Sequence, residues 1–258
     1  MVCHCLLVES DAGLVLVDSG IGLGDVADPR ARLGAVFTNV IRPRRDPDET
    51  AIRRIEQLGF KPADVRLIVV THLDLDHAGG IPDLPDATVH CYRPEHEAAV
   101  ARPTIGERRR YRPHQIAGAR FELHAPDGEG DRWQGFAAVK PLAGLDLALV
   151  PLVGHTRGHA GVAVRADEGW LLHCGDAYFH EDEMDLGRPR CPWPLRAFQR
   201  LVAIDDAARL ANQQRLRQLK RALGAELRLF SAHDPSEFAA LAGKTHSRQQ
   251  VEARLDSS

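Results

Sequence analysis

The chain has 258 residues, and its 33 Lys and Arg and 36 Asp and Glu give a formal net charge of −3. This balance excludes the strong basic field that draws proteins to nucleic acid or to anionic membranes. No apolar run approaches the ~20 residues that cross a bilayer. We therefore expect a globular protein without a nucleic-acid or membrane partner, and the hydrophobic content of 44 % is ordinary for one.

The first residues and the cysteines indicate a compartment. Met1–Val8 has no basic segment and no long apolar segment, so we expect no signal peptide. The five cysteines are scattered, which favours a reducing, cytoplasmic location. In Cys3-His4-Cys5, strand alternation would direct both thiols away from the imidazole, and no partner pair follows. We therefore predict no metal site there.

The chain begins with two predicted strands, 3–8 and 14–18, joined by a hairpin turn at 10–13. Residues 25–45 are polar and Arg-rich and are interpreted as a loop or flap. A helix follows, with Asp46 as its N-cap, proline at the first helical position and Gly59 at its end.

Next comes Leu67–Val70, a short β-branched run that predicts a buried strand. A strand at Ala87–Tyr92 and a short helix from Pro94 follow. Residues 102–135 carry Arg108-Arg109-Arg110 and few apolar positions, so we interpret this stretch as an insertion that covers the site rather than as core.

Apolar and alternating runs return after residue 135. They predict strands at Phe136–Val139, Leu147–Leu152, Gly161–Arg165, Trp170–Cys174 and Leu227–Phe230. A helix capped by Asp205 or Asp206 and ending at Gly224 separates the last two strands. This order predicts a layered α/β fold, with residues 1–258 forming a single domain.

Metal-capable side chains follow four of these strands directly. The central stretch, residues 71–80, holds His72, Asp74, Asp76 and His77 and ends in two glycines. Neutral imidazoles and carboxylates are common metal ligands, and α/β proteins place their sites beyond the carboxyl ends of strands. Further candidate ligands follow the later strands: His155 and His159, then Asp176, then His233.

The ordered motifs H-x-D-x-D-H, G-H-T-x-G-H, G-D and a late His resemble those of the metallo-β-lactamase-fold hydrolase superfamily. The resemblance covers residues 6 to about 235 and is closest to the N-acyl-homoserine-lactone lactonase-like branch. It implies a four-layer αββα sandwich and a small-molecule substrate, and it leaves a homodimer open.

The resemblance also implies a two-metal centre, with zinc as the expected ion and iron or manganese as alternatives. His72, Asp74 and His155 would hold one ion, and Asp176 would bridge to the second. The remaining implied ligands, for that second ion, are Asp76, His77 and His233. Asp18 and His159 resemble supporting positions of the family, although Asp18 also suits a simple turn.

Asp74 departs from the family, most of which has histidine there. A carboxylate oxygen is harder than an imidazole nitrogen, so the first site should favour iron or manganese relative to zinc. The added anion also opposes the field of the metals, so a bound water should be less acidic and activity should peak at a higher pH.

The implied reaction is cleavage of a lactone or carboxylic ester by a metal-bridged hydroxide, which Asp76 would orient. Tyr178 is a candidate donor to the carbonyl oxygen, with core packing as the alternative. Arg108–Arg110 and Tyr111 could meet a substrate anion or form a solvated face. His173 and His180 are expected to be structural.

Other reactions remain open. Thioester and phosphodiester hydrolysis are the hydrolytic alternatives within the same fold. From other classes, the alternatives are a mononuclear iron sulfur dioxygenase-like oxidoreductase and a ligand-binding protein with low turnover. The full ligand set argues against both of these classes, whereas the unusual Asp74 leaves the ligand-binding protein open as an alternative.

Overall fold

The computed structural model describes residues 2–11, 13–127, 131–140 and 145–242. Position 12 of the predicted hairpin turn, positions 128–130 of the predicted insertion and the end of the predicted single domain, 243–258, lie outside these ranges. Within the ranges no helix is both long and apolar enough to cross a membrane. The strands are β1 (Leu6–Ser10), β2 (Gly13–Val17), β3 (Val65–Val69), β4 (Thr88–Tyr92), β5 (Arg120–His124), β6 (Arg132–Trp133), β7 (Phe136–Ala137), β8 (Leu147–Pro151), β9 (Ala160–Ala166), β10 (Gly169–His173) and β11 (Leu227–Phe230).

The helices lie between and after these strands. They are α1 (Leu23–Ala27), α2 (Pro29–Arg32), α3 (Ala35–Val40), α4 (Ala51–Gln57), α5 (Arg93–Ala101), α6 (Ile105–Arg110), α7 (Pro113–Ile116), α8 (Trp193–Val202), α9 (Asp206–Leu223) and α10 (Pro235–Ala242), with short 3-10 helices at Pro47–Glu49, Pro62–Asp64, Ile81–Asp83, Glu181–Met184 and Gly224–Glu226. The predicted cap of α9 is confirmed, because the Asp205 side chain accepts a hydrogen bond from the backbone N–H of Ala208.

Two main sheets form the centre of the fold. The first has the order β1-β2-β3-β4-β5, in which β1 and β2 form an antiparallel hairpin and β2 to β5 run parallel. The second has the order β11-β10-β9-β8, with β11 parallel to β10 and the other pairs antiparallel. The small pair β6 and β7 is separate.

The two sheets pack face to face. Val15, Val17 and Val69 of the first sheet share a buried cluster with Leu149 and Val162 of the second. Successive side chains of a strand point to opposite faces, so the alternate residues face outward.

Helices cover the outer faces. Leu16 and Ile68 pack with Ile55 of α4 on one side, and Leu172 packs with Leu216 and Leu219 of α9 on the other. The result is the predicted four-layer αββα sandwich, which is confirmed.

Two interpretations of polar segments were wrong. Residues 25–45, expected to be a loop, contain α2 and α3, and Asp28 caps α2 with a proline at its first position. Leu33 between them is only 1 % exposed, so this segment contributes to the core. The cap and proline signals were present in the sequence, but the density of arginine obscured them.

Residues 102–135 are not merely a covering insertion. They supply β5, the fifth strand of the first sheet, and they bury Tyr111 in the outer cluster. In β5 only Phe121 and Leu123 are apolar, which is the alternation of a half-buried edge strand. The charged residues between them account for its polar composition.

Candidate metal centre

The central stretch, residues 71–80, leaves the end of β3 as a turn that is almost wholly buried. It packs against the loop after β2 so closely that a Cβ atom at Gly22 would collide with the backbone of Gly79. Glycine is therefore required for steric reasons at this crossing. The contact fixes the turn that carries four of the predicted ligands.

The other predicted ligands arrive from the second sheet. His155 follows β8, Asp176 follows β10 and His233 follows β11. These three strands run in the same direction, so their carboxyl ends deliver the side chains to one edge of the second sheet. All seven side chains named as metal ligands converge at one edge of the sandwich. Three groups of possible ligand atoms at this edge lie within 4.8 Å of one another: His72, Asp74 and His155; His72, His77 and Asp176; and Cys3, Asp76 and His233.

Asp176 lies between the two predicted ligand sets, with one carboxylate oxygen toward each. Its Oδ2 is 3.2 Å from Nε2 of His155 and 3.7 Å from Nε2 of His72. Its Oδ1 is 3.4 Å from Nε2 of His77 and 3.2 Å from Nε2 of His233. This is the arrangement that a bridging carboxylate requires.

The two carboxylates of the central stretch, Asp74 and Asp76, also face different ligand sets. Asp74 Oδ2 is 3.1 Å from Nε2 of His155 and 3.6 Å from Nε2 of His72. Asp76 Oδ2 is instead 3.7 Å from Nε2 of His233. Asp76 is also the least buried of the three carboxylates, with 14 % of its side chain exposed.

Unpartnered polar atoms test whether these residues fit metal ions. Nε2 of His72, Nε2 of His77 and Oδ1 of Asp176 are buried without a hydrogen-bond partner among the described residues. Buried polar groups are almost always satisfied, so several orphans converging on one point require an explanation. Imidazole and carboxylate donors suit divalent metal ions, and the residues therefore fit such ions.

Asp18 holds residues of the centre in place through hydrogen bonds. It accepts hydrogen bonds from the backbone N–H and the hydroxyl of Thr71, at 2.7 and 2.8 Å, and it lies 2.8 Å from Nδ1 of His77. A carboxylate in that place sets the His77 tautomer and leaves Nε2 facing Asp176. Asp18 has a positive φ of 56°, so this contact is made from a strained backbone.

His159 has a comparable task. Its Nε2 accepts a hydrogen bond of 2.8 Å from the backbone N–H of Asp176, and its Nδ1 lies 2.9 Å from the carbonyl oxygen of Leu152. Both ring nitrogens are therefore occupied, and His159 positions the Asp176 loop.

Glu95 is a supporting residue that the sequence reasoning missed. It is fully buried in the first turn of α5. One carboxylate oxygen accepts from the backbone N–H of Leu73, and the other accepts from the hydroxyl of Thr156 and the N–H of Gly158. A single carboxylate thus joins the loops of His72 and His155. Only the short helix after β4 could have indicated it.

Arg110 changes the interpretation of Asp74. Its Nε lies 3.4 Å from Asp74 Oδ1, and its two Nη atoms donate to the carbonyl oxygens of His155 and Val202. The predicted role in binding a substrate anion is therefore taken by an internal partner. The positive charge offsets the extra carboxylate, so we no longer expect a less acidic water. The hard-ligand argument for iron or manganese is unaffected.

The buried carboxylate and imidazoles of the centre strongly shift one another's pKa values. Burial would raise the pKa of Asp176, but the surrounding imidazoles outweigh burial and hold that pKa well below its usual value. Burial would lower the pKa values of His77 and His233, but the Asp176 carboxylate raises both well above the usual range. Metal ions would take the place of those protons, so binding should release protons.

Three other residues named from the sequence have internal partners. Tyr178 is fully buried in the cluster beneath α9, and its hydroxyl donates to Oε1 of Glu237 at 2.8 Å. This conformation favours the packing alternative, and a catalytic role for Tyr178 stays a prediction. His173 contacts the carbonyl oxygen of His4, and His180 caps a 3-10 helix, as structural histidines do.

Fold and centre together define a class. The family model described as the Metallo-beta-lactamase superfamily matches residues 1–233, and the chain belongs to this superfamily. It is a metal-dependent hydrolase by this membership and by its relatives. The predicted family is confirmed.

Individual known proteins are similar to this chain. A protein of Mycobacterium tuberculosis named "Probable metallo-hydrolase" is 48 % identical over 91 % of this chain and 75 % of its own length. An N-acyl homoserine lactonase of Azorhizobium caulinodans is 30 % identical over 89 % and 80 %. The AiiA structure from B. thuringiensis, with N-decanoyl-L-homoserine bound at its active site, superposes with a TM-score of 0.68 at 19 % identity, over 92 % of this chain and 82 % of that one. The last likeness shows the fold.

Proposed function

We propose that this chain hydrolyses a lactone or another carboxylic ester at a centre of two divalent metal ions. The observation that carries the proposal is the position of the Asp176 carboxylate, whose two oxygens face two separate sets of ligands. A shared carboxylate between two imidazole-rich sets suits two-metal hydrolysis.

The comparisons support the substrate class. The A. caulinodans relative carries the name of a lactonase, and the AiiA structure holds an N-acyl homoserine, which is the product of opening such a lactone. Zinc is the metal that we propose for the set of Asp76, His77 and His233, with iron or manganese favoured in the set that contains Asp74.

Bound divalent ions would acidify a water molecule and polarise the substrate carbonyl. The chain itself supplies orientation. Asp76, the least buried carboxylate, would orient the attacking water and carry its proton to the departing alkoxide oxygen. The ring of Phe179 lies 4.9 Å from that of His233 and 6.1 Å from that of His155, so it restricts water on that side and holds both imidazoles.

The test combines metal analysis with a substrate panel. Purified full-length protein is assayed for bound metals and then for cleavage of acyl lactones, aryl esters, thioesters and phosphodiesters, before and after chelation. His155→Asn removes a proposed ligand, and His180→Asn is the matched control. A separate group of possible ligands, His90, Glu122 and His124, lies on β4 and β5, so His124→Ala shows whether any ion is held there.

We expect about two ions per chain outside that group, and lactone or ester cleavage that is lost on chelation and in His155→Asn but kept in His180→Asn. Preferential cleavage of thioesters or phosphodiesters would overturn the substrate class. One iron with oxygen consumption would make the chain an oxidoreductase, and metal binding without turnover of any substrate would leave a binding protein.

A further inference from the structure

The segment Val2–Cys5 lies against the loop that carries His233. The backbone N–H of His4 donates to the carbonyl oxygen of Ala232 at 2.9 Å. The carbonyl oxygen of Val2 lies 2.7 Å from Nδ1 of His233. Two contacts on either side of Cys3 therefore hold this segment beside a proposed metal ligand.

Cys3 lies where these contacts direct it. Its sulfur, an Asp76 carboxylate oxygen and a His233 ring nitrogen all lie within 4.8 Å of one another. Nδ1 of His233 donates to the carbonyl oxygen of Val2, so Nε2, which faces Asp76 and Asp176, is the ring nitrogen left to bind a metal ion. The thiol thus lies at the edge of a group that already has the donors of a metal site.

A second observation points to the same place. Nε2 of His77 and Oδ1 of Asp176 lie 3.4 Å apart, and the latter is 3.2 Å from Nε2 of His233 in this set. Both atoms are buried and have no hydrogen-bond partner among the described residues. His4, by contrast, turns away and packs on the rings of Phe230 and Phe238. The predicted divergence of Cys3 from His4 is present, but the partners of Cys3 come from other loops.

We propose that Cys3 is a thiolate ligand of the metal ion held by Asp76, His77 and His233. The inference rests on the proposed two-metal function. On binding, a sulfur–metal bond forms and the thiol proton passes to solvent.

The consequence is a centre with two chemically different positions. His72, Asp74 and His155 offer nitrogen and hard oxygen, whereas the other set gains a soft sulfur. Thiolate favours zinc over manganese, and carboxylate oxygen favours harder ions. We therefore expect zinc at the Cys3 position and a mixed-metal centre when zinc is supplied together with iron or manganese.

Cobalt(II) gives the direct test, because a cobalt–thiolate bond produces a sulfur-to-metal charge-transfer band in the near ultraviolet. The full-length protein is freed of metal, loaded with cobalt, and compared with Cys3→Ser and with the matched control Cys5→Ser. Cys5 is two residues away and lies near Asp18 and His77, but it belongs to none of the groups of possible metal ligands among the described residues and packs against the outer cluster of the first sheet. Cys3→His keeps a ligand without sulfur.

We expect the band in the wild type and in Cys5→Ser, and its absence in Cys3→Ser and Cys3→His. Zinc should be released at least ~10-fold more readily from Cys3→Ser, with the loss reduced in Cys3→His. Two bound cobalt ions without the band, or a band that depends on Cys5, would overturn the assignment of Cys3 alone. Failure of the wild type to bind cobalt would overturn this assignment together with the metal centre itself.

Discussion

The pair of Arg110 and Asp74 gives the sharpest quantitative prediction. The atoms Nε and Oδ1 are 3.4 Å apart, and each side chain is only 11 % exposed. At an effective dielectric constant of about 20, Coulomb's law gives an attraction of about 5 kcal/mol, which is an upper bound on the measured coupling. Breaking one partner of a buried pair typically costs about 3–5 kcal/mol.

The perturbation is a double-mutant cycle with Asp74→Asn and Arg110→Met. Arg110→Met also removes the hydrogen bonds to His155 and Val202, but this loss occurs in both backgrounds and cancels in the cycle. We expect a coupling free energy of about 2–4 kcal/mol, because the nearby imidazoles and partial solvent access screen the pair.

The assay is denaturant unfolding of the metal-free protein and its three variants. A coupling below about 0.5 kcal/mol would mean additive, independent sites and would refute the charge compensation. A further variant at the same position, Asp74→His, tests the metal preference. If Asp74→His leaves the ratio of bound zinc to manganese unchanged, the hard-ligand argument is wrong.

Three further predictions concern support of the centre. Glu95→Gln should cost about 2–4 kcal/mol of unfolding free energy, because at least one buried donor loses its acceptor, and metal retention measured by chelator competition should fall with it. Gly22→Ala should cost about 1–3 kcal/mol by forcing the backbone away from Gly79, whereas Gly106→Ala, in an open helical position, should leave thermal stability and metal content unchanged. Burial raises the pKa of Glu237 from 4.5 to about 7, so its stabilising contribution is complete below pH 4.5 and is lost as the pH rises through about 7. Over this range the unfolding free energy of the wild type should therefore fall relative to that of Glu237→Gln, by up to about 3 kcal/mol. Parallel pH profiles of the two proteins would contradict the pKa shift.

Local order along the chain determined most of the fold. Strands such as β3 and β11 are short apolar runs that end directly in ligand-type residues, so both the element and the placement of His72 or His233 at its carboxyl end follow from adjacent positions. The cap of α9 at Asp205 is equally local. Local signals were missed where charged residues diluted them, as in β5.

Contacts between distant segments were decided only by the tertiary structure. Glu95 joins loops that are 22 and 61 residues away. Arg110, at the end of α6, meets Asp74 in the turn after β3, and Cys3 lies close to Asp76 and His233 although it is distant from both in sequence. None of these residues carries a spacing signal, because its partner is set by how the two sheets pack. The sequence by itself indicated which residues could bind metal, whereas the packing decided which charges compensate them and brought the Cys3 sulfur close to two of them.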